Sequence, residues 1–144
     1  MVCLGNICRS PLAQGILMSK ITSEEISVDS AGTSGYHQGH LPDPRSIAIA
    51  QEFDLDITNQ RSRKFVVSDF DIFDVIYAMD ESNLANILDL ARNAEDEVKV
   101  KLILNELDTS SNKNVPDPYY GGDGGFLNVY KMLDEACTVI AAKL

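Results

Sequence analysis

Met1-Val-Cys-Leu-Gly-Asn-Ile-Cys-Arg-Ser-Pro11 opens the chain, with a thiol at Cys3, a guanidinium at Arg9 and five residues between them. Ser10-Pro11 reads as a helix start, because Ser is a favoured N-cap and Pro a favoured first helical residue. A short apolar segment would then pass through a tight loop into a helix, as in an α/β fold. A helix N-terminus presents unpaired N–H groups and partial positive charge, a ready site for a phosphate. Gly5 lets the backbone turn sharply and approach such a ligand. The field that attracts the anion also stabilises a thiolate, so Cys3 reads as a nucleophile. Arg9 reads as the clamp that grips two phosphate oxygens with its planar fork. No Gly-Lys-Ser/Thr follows, so this is not a nucleotide-binding loop.

Further along, short apolar runs alternate with helical patterns, which predicts a parallel sheet flanked by helices. Helices are expected over 11–21, 43–53, 82–92 and 123–144. The second is signalled by Asp43-Pro44, an N-cap followed by Pro. Strands are expected over 26–29, 74–79 and 98–104, with loops over 30–42 and 108–115. Phe126, Val129, Tyr130, Leu133, Cys137 and Ile140 recur at helical spacing and predict the buried face of the last helix. Gly121 to Gly125 reads as a turn before it. Only Met1 and Val2 precede Cys3, so the first strand is expected to be truncated. No repeat or composition shift divides the chain, and 1–144 reads as a single domain.

The 144 residues hold 12 basic and 22 acidic side chains, a net charge of −10, which argues against nucleic acid and anionic membrane as partners. No apolar run approaches a membrane span and no signal-peptide pattern is present, so the expected location is cytoplasmic. Three cysteines do not suggest a disulfide scaffold. Cys8 lies close enough in sequence to Cys3 to act as its redox partner, or it packs under the loop. His37 and His40 have the spacing of two metal ligands, but no Cys, Asp or Glu cluster accompanies them. They read as a solvated loop.

Attack by Cys3 on a phosphate monoester needs a proton donor for the leaving oxygen. Asp117, bracketed by Pro116 and Pro118, is the candidate, with Tyr119 and Tyr120 placed to wall an aromatic leaving group. The same Asp would then activate water against the cysteinyl-phosphate.

These segments together resemble the low-molecular-weight protein tyrosine phosphatases over the full length of the chain. Cys3 to Pro11 resembles the family's phosphate loop. Asp29-Ser-Ala-Gly-Thr-Ser-Gly-Tyr36, Pro42-Asp-Pro-Arg45, Ala78-Met-Asp-Glu-Ser-Asn-Leu84 and Asp117-Pro-Tyr-Tyr120 resemble its later motifs. The resemblance implies a flavodoxin-like fold with a four-stranded parallel sheet, no metal and no organic cofactor. It implies Cys3 as nucleophile, Arg9 as transition-state clamp and Asp117 as acid then base. Asn6 and Ser10 would hold the loop, Ser10 would hydrogen-bond the Cys3 sulfur, and Ser30 would support Asn6. Tyr36, Tyr119, Leu4 and Ile7 would line the mouth of a pocket deep enough to favour phosphotyrosine. A phosphotyrosine protein is the expected partner, inorganic phosphate the product and a monomer the expected state. Gln60 stands where many members carry His. Three alternatives share the loop: a protein-arginine phosphatase, which Ile7 disfavours by crowding; an arsenate reductase, which needs more thiols; and a phosphotyrosine-binding module that does not turn over.

Overall fold

The computed structural model describes residues 1–121 and 123–144, and its order of elements follows the alternation read from the sequence. Four strands, β1 (Val2–Cys3), β2 (Ala31–Gly32), β3 (Ile76–Ala78) and β4 (Val100–Leu102), form one sheet in the order β2-β1-β3-β4. All pairings are parallel, with Val2 opposite both Ala31 and Ala78, and Ile76 opposite Val100. The helices are α1 (Arg9–Lys20), α2 (Pro44–Glu52), α3 (Asp69–Ile72), α4 (Glu81–Leu88), α5 (Ala94–Val98) and α6 (Asp123–Ala142). The four-stranded parallel α/β architecture expected from the sequence is therefore present.

One face of the sheet is covered by α1, α2 and α6. Leu12, Ala13, Ile16 and Leu17 of α1 meet Phe126, Val129, Leu133 and Cys137 of α6 in a single buried cluster. The six α6 positions predicted from helical spacing are all buried. On the other face Val2, Ala31, Ile76 and Leu102 pack with Phe65, Phe70 and Ile87. Burying each such large side chain contributes roughly 1.5–3 kcal/mol, so the two clusters hold the sheet from both sides.

Several boundaries differ from the sequence reading, each for a local reason. The second strand is 31–32 rather than 26–29. In the parallel register that sets Val2 against Ala31, residues 26–29 lie before the first paired position of β1. Only the Met1 ammonium reaches back, donating to Asp29 O at 3.0 Å. The helix expected over 82–92 ends at Leu88, and Asn93 caps the separate α5 by accepting from Asp96 N at 2.9 Å. The strand expected over 98–104 shrinks to three residues between α5 and a 3-10 turn, Ile103–Glu106. The strand over 74–79 is likewise trimmed to three. The turn read at 121–125 gives way to helix from Asp123 onward, and Gly122 lies outside the described residues. By contrast α2 begins as expected, with Asp43 accepting from Arg45 N at 2.8 Å and Pro44 at the first position.

Ligands of open parallel sheets bind beyond the carboxyl ends of the strands, where the strand order reverses. Here that point lies between β1 and β3, and the loops leaving both strands converge on it.

Candidate active site

Residues 4–8 leave β1 and curl into α1. Asn6 has φ 55°, a left-handed conformation that Asn tolerates better than most residues. This turn aims Asn6 N–H at the Cys3 sulfur, 3.2 Å away, while Ser10 Oγ lies 3.0 Å from the same sulfur. The Asn6 side chain is fully used. Its Nδ2 donates to Ser10 Oγ (2.8 Å) and to Ser30 Oγ (2.9 Å), and its Oδ1 accepts from Arg63 N (3.0 Å). Ser30 Oγ in turn donates to Gln14 Oε1 at 2.7 Å. Ser10 Oγ accepts from Asn6, and its own proton is within reach of the Cys3 sulfur at 3.0 Å and of Ala31 O at 3.5 Å.

This geometry corrects the helix start. The helix begins at Arg9, and Cys8 occupies the capping position with no side-chain cap. Ser10 is not the N-cap, because its hydroxyl faces the sulfur and Asn6. Pro11 falls within the first turn, where a missing N–H removes no helical bond. The N–H groups of Gly5, Ile7, Cys8 and Arg9 donate to no protein group among the described residues. They are free to meet an anion.

Arg9 is 2% exposed. Its Nη1 donates to Asp80 Oδ2 at 2.6 Å and to Val115 O at 3.0 Å. The guanidinium is thus fixed from behind while Nη2 and Nε carry no hydrogen bond to described residues. Nη2 lies 3.7 Å from Asp117 Oδ2. Asp80 lies in the quoted segment 78–84, but the sequence reading gave it no role. It lies two residues beyond the end of β3 and caps α4 by accepting from Asn83 N at 2.7 Å. An Asp closing an apolar strand at the switch point was the available signal.

The Asp117 loop is tied down at two places. Val115 N donates to Met79 O at 2.8 Å, and Asp117 Oδ1 accepts from Tyr119 N at 3.0 Å. Arg45, also missed, grips the Asp43 carboxylate with Nε and Nη2, both at 3.0 Å, and donates to Tyr119 O at 3.1 Å. Its guanidinium lies 4.7 Å from the Phe126 ring centroid and 5.5 Å from that of Tyr119. Asp43 N donates to Ile7 O at 2.7 Å, which connects this clamp to the phosphate loop. Burial opposes the Asp43 charge, but the hydrogen bonds and charge of Arg45 outweigh it and hold the carboxyl below the ordinary Asp range.

A cleft of about 530 Å³ opens over Cys3. Leu4, Gly5, Ile7, Cys8 and Arg9 line it together with Tyr36, Asp117, Tyr119 and Tyr120. Tyr36 and Tyr120 are 89% and 90% exposed, so they stand at the mouth. His37, read from the sequence as part of a solvated loop, also lines this cleft. Among the described residues no group of three or more His, Cys, Asp or Glu side chains is assembled as a metal site. Burial pushes the Cys8 thiol up to about 12, and the nearby Asp43 adds to the effect. Gln60 does not join the Cys3 network. Its Nε2 donates to Pro11 O at 3.0 Å on the back of α1.

A family model described as low molecular weight phosphotyrosine protein phosphatase matches residues 1–144. A putative low molecular weight protein-tyrosine-phosphatase of Synechocystis is 42% identical over 140 residues, covering 94% of this chain and 88% of that protein. The crystal structure of a protein tyrosine phosphatase from Entamoeba histolytica superposes with a TM-score of 0.89 at 38% identity, over 99% of this chain and 92% of that one. A Drosophila arginine phosphatase superposes with a TM-score of 0.88 at 31% identity, over 99% and 94% of the two chains. With its whole length matched and relatives at this level of identity, the chain belongs to the low molecular weight phosphotyrosine protein phosphatase family.

Proposed function

We propose that this protein hydrolyses phosphotyrosine in proteins through a cysteinyl-phosphate, with Cys3 as nucleophile, Arg9 as clamp and Asp117 as acid then base. The observation that carries this reading is the double hydrogen bonding of the Cys3 sulfur, by Asn6 N and Ser10 Oγ, beneath a guanidinium pinned to Asp80. In the first step the sulfur attacks phosphorus, the S–P bond forms and the P–O bond to the tyrosine breaks. Asp117 gives its proton to the departing phenoxide. The unspent donors of Arg9 and the loop N–H groups hold the equatorial oxygens as charge spreads over them. In the second step Asp117 takes a proton from water, the water oxygen attacks phosphorus and the S–P bond breaks. Ser10 then stabilises the departing thiolate. Inorganic phosphate is released, and no metal or organic cofactor enters either step.

Leu4 and Ile7 on one side and Tyr119 and Tyr120 on another supply apolar walls for an aromatic ring. Ser30 supports the loop through Asn6. Cys8 shares the cleft with Cys3, and we assign it a protective role. If peroxide converts Cys3 to a sulfenic acid, condensation with the Cys8 thiol expels water and leaves a reducible disulfide. Because Cys8 stays a thiol at neutral pH, this closure is slow unless a base assists. The working form is a monomer acting in the cytoplasm. No described helix is long and apolar enough to cross a membrane.

Because an arginine phosphatase shares the fold, the test compares two substrates. Steady-state hydrolysis of a phosphotyrosine peptide and of a phosphoarginine peptide is measured with the wild type and with Cys3→Ser. Turnover of phosphotyrosine that disappears in Cys3→Ser is expected. Preferred turnover of phosphoarginine overturns the substrate assignment, and activity above a few per cent in Cys3→Ser overturns the nucleophile.

A further inference from the structure

We propose that the rim built from Tyr36, His37 and Lys64 selects substrates that carry a second anionic group beside the phosphotyrosine, a selection that presupposes the phosphotyrosine reading above. Beyond β2 the chain follows the wall of the cleft, because Thr33 N and Ser34 N donate to Cys3 O and Leu4 O, each at 2.9 Å. Its next residues form the rim. The His37 ring rests against the phosphate loop, so that a Cβ on Gly5 would lie 3.0 Å from its Cδ2. It also meets the rings of Tyr36 and His40, at centroid distances of 5.9 and 5.6 Å.

A second segment runs alongside. Gly39 N donates to Ser62 O (2.7 Å), Ser62 N to His40 O (2.9 Å), and Lys64 bridges to Gly32. Ser62 points inward, with its Oγ donating to Gly5 O at 3.2 Å. Lys64, two residues on, is exposed. Its Cδ would lie 3.4 Å from a Cβ on Gly35, which sets its stem just outside the cleft, beside the residue that joins the cleft residues Ser34 and Tyr36.

The charges around the cleft are unevenly committed. Arg9 is held by Asp80, Arg45 by Asp43, and Arg63 by Asp29 and Asp69. Among the described residues no carboxylate lies within 4.0 Å of Lys64, His37 or His40. This rim therefore offers an exposed ammonium and two imidazoles with no competing anion, whereas the opposite rim carries Asp117. A net charge of −10 repels acidic peptides at long range. At physiological salt that field is screened beyond about 8 Å, so a contact at the rim decides the preference. The second anion is a carboxylate of a flanking Asp or Glu, or the phosphate of a neighbouring phosphotyrosine. Both offer oxygens to the same nitrogen donors.

The experiment measures kcat/KM for the full chain on matched phosphotyrosine peptides whose flanking residue is Gln, Glu, Lys or a second phosphotyrosine, with a small aryl phosphate as reference. Wild type is expected to favour at least one anion-flanked peptide over the Gln peptide by about three- to fivefold, the scale of an exposed ion pair. The preference should vanish in Lys64→Gln and survive in Lys64→Arg, with hydrolysis of the aryl phosphate unchanged in both. Preference for the Glu peptide identifies a carboxylate, and preference for the doubly phosphorylated peptide alone identifies a phosphate. Equal rates on all peptides in wild type, or an undiminished preference in Lys64→Gln, overturn the rim. Failure of wild type to hydrolyse any peptide or the aryl phosphate overturns the phosphatase reading instead.

Discussion

Three thiols sit in this chain, and their surroundings divide them sharply. Burial pushes Cys8 and Cys137 up to about 12, so both stay protonated at neutral pH. Cys3 instead receives the Asn6 N–H and lies beside the Ser10 hydroxyl, in the cleft that Cys8 also lines. With Cys3 as the proposed nucleophile and the other two thiols held protonated, brief treatment with iodoacetamide at pH 7 should alkylate Cys3 alone. Peptide mass spectrometry reads the site, and excess phosphate should protect it. Labelling of Cys8 ahead of Cys3 would contradict the division. For Asp117 the expectation concerns the leaving group. Asp117→Asn should lower kcat on phosphotyrosine by about 10²-fold or more, yet hardly affect aryl phosphates whose leaving group departs unprotonated. Equal losses on both would remove Asp117 from the acid role. That Cys3, Arg9 and Asp117 meet in one cleft was legible in the sequence, because each combines reactive chemistry with a distinctive local frame. Asp80 was not. Its importance comes from a contact with Arg9, 71 residues away, that only the sheet order creates.

At the scale of elements, the Cys3–Arg9 loop and the Asp117 loop are separate pieces of chain, and the start of α2 links them. Asp43 holds Ile7 O through its backbone and Arg45 through its side chain, and Arg45 holds Tyr119 O. Arg45→Met removes the link while keeping much of the side-chain bulk. It should slow phosphotyrosine by about tenfold or more with little change for good leaving groups, since small misplacements of a catalytic group are costly. Arg45→Lys should restore little, because a point charge cannot reproduce the fork. The clamp also has a pH signature. The folded Asp43 carboxyl titrates below its unfolded value of about 3.9, so its stabilising contribution is complete above that pH and lost as pH falls through the folded value. The difference in Tm between wild type and Arg45→Met should therefore narrow on going from pH 5 to pH 3. A constant or widening gap would show that the Asp43–Arg45 pair is not the source. The start of α2 was legible to the residue because Asp-Pro is a strong local signal. The second strand was misplaced because a strand exists only where a partner runs beside it, and no local pattern says where β1 begins to pair.

Across the whole molecule, a second opening lies at the end of the sheet away from Cys3. A groove of about 250 Å³ runs there, lined by Val28, Phe73, Val75 and Ile76 among others, with Met1 at its head. Burial in this groove lowers the Met1 ammonium to about 6, outweighing the attraction of Asp29. The ordinary value for such a group is about 8, so between pH 6 and pH 8 the unfolded chain binds more protons than the folded one. Stability should therefore rise with pH across that window, the penalty being complete below about 6. Acetylation of the amino group removes the charge and should flatten the window. Preceding Met1 with three or four apolar residues should do the same and also raise Tm. Such residues would run beside 26–29 in the register already set by Val2 and Ala31, and would fill the groove. Burial of each large side chain contributes at most about 1.5–3 kcal/mol. Thermal unfolding of the chain, its acetylated form and the extended form at pH 6 and pH 8 measures all three effects. If the extension leaves Tm unchanged while acetylation flattens the pH dependence, the groove desolvates the terminus without accepting a strand. If neither changes anything, the amino group is hydrated and the sheet ends at Val2 without cost.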